Sequence, residues 1–254
     1  MAQDRHEPRQ KQIHNREHRH LHIYPSPIHL LATFFTLVFP FLFLAIFAQF
    51  AKITISHLFT DTFVSLWRML IAYIVAAVLG WILAVLFYRG RRGKVALPIF
   101  DVLQSIPLFA VLPLITYFFG ANFWTIVFFV MFDVLWPIFF SIISSLKLMK
   151  HDWQESVEIY NLKGWNYFRY YLLPVTWSGL ITGSIIGLGD GWEALLATEI
   201  IIGMKNGLGS FFRANETNTA ITLFGMLGFL ILIFALNKII WLPLLDWSHR
   251  KTEE

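Results

Sequence analysis

Cysteine is missing from all 254 residues, which removes disulfides, thiolate nucleophiles and cysteine-held metals from consideration. Charge is scarce as well: 14% of the residues are Asp, Glu, Lys or Arg, and the formal balance is only +4. There is no glycine-rich phosphate loop ending in Lys-Ser or Lys-Thr, so this chain does not hydrolyse ATP itself. Neither a His-Glu-x-x-His pair nor a nucleophile elbow occurs, and no metal-ligand cluster falls inside an apolar run. What abounds is apolar surface: 57% of residues are hydrophobic, with 26 Phe and 10 Trp.

These apolar residues come as runs, not as amphipathic stripes. A helix needs about 20 of them to cross the roughly 30 Å of bilayer hydrocarbon. Runs of that order recur near residues 30–50, 64–88, 95–119, 123–146, 176–203 and 220–245. The expected fold class is an all-α polytopic membrane protein with about six spans, multi-pass in a cell membrane. Placing the N-terminus inside puts fifteen of the twenty Lys and Arg in the tails and cytoplasmic loops: Arg5, Arg9, Lys11, Arg16 and Arg19; Arg89, Arg91, Arg92 and Lys94; Lys147, Lys150, Lys163 and Arg169; Arg250 and Lys251. The opposite orientation inverts that bias, so both termini are expected in the cytoplasm. The first apolar run starts late and lacks a small-residue cleavage site, so no cleaved leader is expected.

Residues 1–22 are polar and basic and cannot bury enough apolar surface to fold alone. Six of the nine His precede residue 30: His6, His14, His18, His20, His22 and His29. Two readings stand for this tail, a metal-binding cluster and a cytoplasmic anchor, and the lack of carboxylate or thiolate spacing favours the anchor. Its positive charge is accounted for by an anionic leaflet, with no need of a nucleic-acid partner.

Several features inside the runs carry chemistry. Pro98, Pro107 and Pro113 interrupt the third run, and each proline removes a backbone hydrogen bond. In lipid the freed carbonyls must face protein or water. Gln104, Ser105 and Pro107 are therefore candidates to line a polar path, with a packing kink as the equal alternative. Asp133 in the fourth run and Asp190, Glu193 and Glu199 in the fifth cannot face lipid cheaply. Asp190 and Glu193 share a helix face; they either pair with Arg68 or line the path. Glu199 is either in a structural ion pair or on the path. Gly179, Gly183, Gly187 and Gly191 repeat every four residues, a ladder that lets helix backbones approach closely; the partner is a neighbouring helix or a second copy.

The polar, aromatic segment ESVEIYNLKGWNYFRYYLLP, residues 155–174, sits between two apolar runs. Its spacing runs from a Glu through two smaller residues and a turn-permissive seventh position to Leu173-Pro174. It resembles the EAA loop of ABC importer permeases. Ser156 and Val157 stand where the family usually has Ala, Asn161 where it usually has Gly, and Tyr171 where it usually has an aliphatic residue. Asn is the non-glycine residue most at ease at positive φ, so Asn161 can still make the turn. From Asp61 onward the likeness is continuous: DTFVSLWRMLIAYIVAAVLGWILAVL, the basic turn RGRRGK, LPIFDVLQSIPLFAVLPLITYFFG with its Ile106-Pro107 element, then GWEALLATEIIIGMKNGLGSFF. About 190 residues are similar to the permeases of the nitrate, sulfonate and taurine importer group.

The resemblance implies a five-helix (MetI-like) permease core plus one extra N-terminal helix. It divides the chain into a tail (1–28), the extra helix and external loop (29–60), the core (61–248) with its cytoplasmic coupling loop (150–174), and a short tail (249–254). It implies a cytoplasmic ATPase dimer as partner, docked on Glu155, Ser156, Val157, Asn161, Lys163 and Gly164 with Trp165 and Phe168 as apolar anchors. An interfacial amphipathic helix is the other reading of that segment. The family further implies an extracytoplasmic substrate-binding protein, a second permease copy in the same bilayer, a small anion or small organic solute as substrate, and no cofactor on this chain, since ATP and Mg belong to the ATPase. Two rivals remain: a proton-driven secondary transporter using Asp133, Asp190 or Glu199, and a membrane enzyme acting on lipid headgroups. The first needs an internal repeat, which is not seen. The second needs catalytic residues gathered at one interface, whereas the carboxylates here are spread in depth.

Overall fold

A backbone in lipid must satisfy its own hydrogen bonds, so long apolar runs fold as helices. The structure, a computed structural model, describes residues 27–50, 55–148, 157–241 and 243–244, and every regular element among them is helical. In chain order these are α1 (Pro27–Phe50), α2 (Ile55–Phe87), α3 (Gly90–Gln104), α4 (Leu108–Phe119), α5 (Phe123–Lys147), a short α6 (Gly164–Tyr167), α7 (Leu173–Ile202), α8 (Leu208–Ala214) and α9 (Thr219–Leu236). A π-helical turn over Phe168–Leu172 joins α6 to α7, and a second, Asn237–Trp241, prolongs α9. Local sequence sets the ends. The Asn122 side chain accepts from the amides of Trp124 and Thr125 at 2.9 and 3.1 Å and so caps α5. Gly203 closes α7 at φ 74°, a conformation that costs glycine nothing.

α5 is the hub. Ile126, Val130, Val134, Ile138 and Ile142, four apart along one stripe, are fully buried, and so is Phe139 on another face. A helix covered on most sides needs no polar face. α7 lies against it along the glycine ladder, and α2 covers it with the small side chains Ala72, Ala76 and Ala84 and with Met69. Polar pins cross this apolar packing: the Trp81 indole donates to Thr176 Oγ1 at 2.9 Å, and the hydroxyls of Tyr73 and Ser184 pair at 3.0 Å. Both pins join α2 to α7. α1 stays outside this core. Its Phe47 and Ala48 pack with Leu58, Phe211 and Phe212, and Phe47 and Phe50 meet the Phe224 ring of α9 at 6.1 and 5.8 Å between centroids.

The all-helical, multi-span expectation holds, and among the described residues the count of six spans is not confirmed. Among the described residues four helical stretches are long and apolar enough to cross a membrane: His57–Phe87, Phe123–Lys147, Gly164–Ile202 and Thr219–Trp241. A fifth exists if the pair α3 and α4, bent by 84° at a short break, acts as one span. The expected third span is thus not straight: it breaks before Pro107, while Pro98 and Pro113 lie within α3 and α4. α1 adds a shorter apolar stretch, Phe34–Phe50. The basic turn RGRRGK is also shorter than expected, because α3 begins at Gly90, whose φ of 72° makes the corner, and absorbs the remaining basic residues into its first turns. The tails at 1–26 and 249–254, and residues 150–156 of the expected coupling loop, lie outside the described residues.

Candidate functional site

The segment that reads as a coupling loop is described from Val157 onward, so Glu155 and Ser156 lie outside the described residues. Residues 157–159 form one helical turn. Leu162 N returns to Val157 O at 3.0 Å and Asn161 N to Glu158 O at 3.1 Å. Asn161 has φ 48°, the one positive φ among the described non-glycine residues, which is the conformation its sequence position calls for. Gly164 follows with φ 57° and opens α6. The two reversals project a knuckle. Ile159, Tyr160 and Trp165 are 77%, 76% and 69% exposed, beside exposed Asn161, Lys163 and Gly164.

Its inner side is tied to the bundle. Val157 and Phe168 are half-buried against the core. The Phe168 ring stacks under Trp165 at 5.0 Å and meets Trp81 of α2 edge-on at 5.7 Å. Phe168 therefore braces the knuckle from behind, while Trp165 belongs to its exposed face. The Tyr88 and Tyr167 hydroxyls pair at 2.9 Å, and Tyr167 stacks on Tyr171 at 4.9 Å. The π turn has a local cause. Leu173 N bonds to Phe168 O, one residue further back than in an α-helix, and Pro174 just beyond has no N–H to give. The result is one unbroken helical lever, Gly164–Ile202, from the knuckle through the bundle.

At the bend between α3 and α4, Gln104, Ser105 and Pro107 are all exposed. Gln104 donates to Asp101 Oδ1 at 2.7 Å, Ser105 Oγ to Asp101 O at 2.9 Å, and Pro107 caps α4 with extended backbone. Asp133 is half-buried on α5, with Asp190 and Glu193 of α7 near enough to act on its charge. Asp190 and Glu193 themselves are exposed. No group of three His, Asp or Glu among the described residues is arranged to hold a metal ion.

Arg68 pairs with Glu199, not with Asp190 or Glu193. Glu199 is fully buried, so here it lines no surface. Around the pair, three successive amides of the turn into α8 are taken up: Gly207 N by Asp61 Oδ1 at 2.9 Å, Leu208 N by Ser65 Oγ at 2.8 Å, and Gly209 N by Glu199 Oε2 at 2.8 Å. Arg68 also donates to Asn206 O at 3.0 Å. Those amides are the orphan donors of a helix start. Sequence reasoning missed Asp61 and Ser65, although their spacing with Arg68, four and then three residues, marks one polar stripe on an apolar helix.

The glycine ladder faces α5 of the same chain. A Cβ on Gly179 would come within 2.7 Å of Ser141 O, on Gly183 within 2.6 Å of Ile138 Cα, and on Gly187 within 2.9 Å of Val134 O. Gly191 faces the Val134 side chain.

Residues 76–250 match the family described as "Binding-protein-dependent transport system inner membrane component". α1 and the first part of α2 precede the match. The nitrate import permease protein NrtB of Leptolyngbya laminosa is 29% identical over 186 residues, 70% of this chain and 66% of that protein. NrtB of Synechocystis sp. is 30% identical over 56% of this chain and 52% of its own length. The bicarbonate transport system permease protein CmpB of Synechococcus elongatus is 26% identical over 61% of this chain and 56% of its own. The chain thus spans less than two thirds of the length of these relatives.

Proposed function

This chain belongs to the family of binding-protein-dependent transport system inner membrane components, and from that premise we propose that it forms the translocation path of an ABC importer and is moved by a cytoplasmic ATPase. A member of this family is a transport permease subunit, not an enzyme. The observation that carries the reading is the exposed knuckle of Ile159, Tyr160, Asn161, Lys163 and Trp165, continuous with a helix that runs through the bundle. Apolar and aromatic groups exposed beside a lysine are what a docking surface for another protein requires. Glu155, Ser156 and Val157 would complete that surface, and Gly164 supplies its corner. Closure of an ATPase dimer carrying ATP and Mg would draw two such knuckles together and tilt the levers behind them.

The rest of the assembly follows the same reading: both termini in the cytoplasm, a second permease copy, most simply another of this chain, and an external binding protein that captures substrate. Gln104, Ser105, Asp133, Asp190 and Glu193 would face the path, because their exposed or half-exposed polar groups would otherwise meet lipid, with Pro107 making the bend that carries the first two. The substrate class is a small anion or small organic solute. Two of the relatives are named for nitrate import and one for bicarbonate transport. The exposed carboxylates Asp190 and Glu193 oppose a bare anion, which favours solutes carrying a balancing positive group.

The test is co-purification of the intact chain with candidate ATPases encoded in the same genome, against Trp165→Ala and Lys163→Glu. Both residues are exposed; Lys163→Glu removes no packing contact, whereas Trp165→Ala gives up the stack on Phe168, so an unchanged melting temperature must accompany its loss of binding. The expected result is a stable complex with the intact chain and a loss of about tenfold or more in affinity with each variant, the effect of truncating a central aromatic or reversing a contacting charge. Equal binding by all three proteins would refute the knuckle as the docking surface. A folded chain that binds no ATPase and transports on a proton gradient would refute the importer reading.

A further inference from the structure

Between α1 and α9 runs a groove that the transport reading does not use. Thr36 and Phe39 of α1 and Leu227, Leu230 and Phe234 of α9 line it, and its volume is about 430 Å³. Thr36 is the polar residue among its described walls. At one end Lys238 donates to Thr36 Oγ1 at 3.3 Å, with its ammonium 6.0 Å from the centre of the Phe234 ring. Among the described residues Lys238 has no carboxylate partner, Arg68–Glu199 being the ion pair there. An ammonium has three donors, and Thr36 takes one of them.

Depth places this cation at a membrane boundary. From Thr219 to Lys238 the helix rises about 28 Å, close to one hydrocarbon thickness. From Lys238 back to Leu227 it rises about 16 Å, close to one leaflet. The groove is thus a leaflet deep, apolar along its length and cationic at its mouth.

We propose that this groove binds one anionic phospholipid, an acyl chain lying between α1 and α9 and the phosphate seated on Lys238. Charge complementarity selects this occupant. A second copy of the chain fits less well: neither α1 nor α9 contains an Asp or Glu to bring to Lys238. An acyl chain matches the apolar walls, and a phosphate matches the remaining ammonium donors.

The experiment uses the full-length chain in detergent, with native mass spectrometry after addition of phosphatidylglycerol or phosphatidylcholine. Wild type is compared with Lys238→Ala, Lys238→Arg and Leu230→Trp. The expected result is one retained phosphatidylglycerol, preferred several-fold over phosphatidylcholine. Lys238→Ala abolishes the preference and Lys238→Arg keeps it. Leu230→Trp, which fills the groove without touching the charge, lowers retention of both lipids. Lys238 and Leu230 are exposed, so these variants fold as the parent does, and unchanged melting temperatures in phosphatidylcholine nanodiscs verify it. Retention of phosphatidylglycerol that is equal in wild type and Lys238→Ala, or a disulfide joining two copies through Thr36→Cys and Leu230→Cys, overturns the proposal.

Discussion

Glu199 is the residue at which burial and charge meet most sharply. It is fully buried, and its carboxylate takes donors from Arg68, Ser65 and the Gly209 amide. Removing one member of a buried ion pair strands the other, which costs about 3–5 kcal/mol, whereas replacing both by apolar groups is often close to neutral. Glu199→Ala is accordingly expected to lower the thermal unfolding midpoint far more than the double change Arg68→Met with Glu199→Met. A double-mutant cycle on the purified chain measures this, and additive single effects would show that the pair is not coupled. At this scale the sequence was half legible. It showed Arg68 within an apolar run and four acidic residues nearby, and the polar stripe Asp61, Ser65, Arg68 was there to be read. The partner was not, because Asp190 and Glu193 lie six to nine residues up the same helix and offer equal charge. What selects Glu199 is the turn at Gly203–Gly209, which folds α8 back and presents three amides to the same pocket. A Cβ on Gly207 would stand 2.6 Å from the Glu199 carboxylate oxygens, so that turn closes only with glycine there.

Elements show their logic in the glycines of α7. The four-residue repeat was legible as a close-approach face, and the structure supplies its partner, α5 of the same chain. Two glycines of this helix make a controlled pair. Gly183 sits with the Ile138 backbone where its Cβ would be, while Gly189 is exposed with nothing within 4 Å. Gly183→Ala must push two backbones apart, an overpacking cost of about 1–3 kcal/mol. Gly189→Ala gains helix propensity and stabilises by about 0.5–1 kcal/mol. One chemical change in one helix is thus expected to shift the unfolding midpoint in opposite directions, and shifts of the same sign would contradict the packing. The π turns were less legible. Both precede a proline, Pro174 and Pro243. The sequence announced that a backbone donor would be missing, but not whether the helix would break there, as it does before Pro107, or widen and continue, as it does before Pro174. The difference lies in support: residues 101–107 are all exposed, whereas Tyr171 and Leu172 are buried in the core.

For the whole molecule the main consequence is directional. α7 and its extension run unbroken from Gly164 to Ile202, about 58 Å of helix, well beyond one bilayer thickness. Lys163 and Lys205, exposed just past its two ends, must then lie on opposite sides of the membrane. On the proposed orientation Lys163, near Lys147, Lys150 and Arg169 in sequence, would be cytoplasmic, and Lys205, with Arg213 after it, external. The chain has no cysteine, so single replacements can be labelled without first clearing a background. In right-side-out cells an impermeant maleimide is expected to modify Lys205→Cys and to leave Lys163→Cys untouched until the membrane is opened; inverted vesicles should reverse the pattern. The reversed result would put the knuckle outside, out of reach of any cytoplasmic ATPase, and would overturn the orientation and the coupling role together. Labelling of both positions from one side would mean instead that the lever does not cross the bilayer.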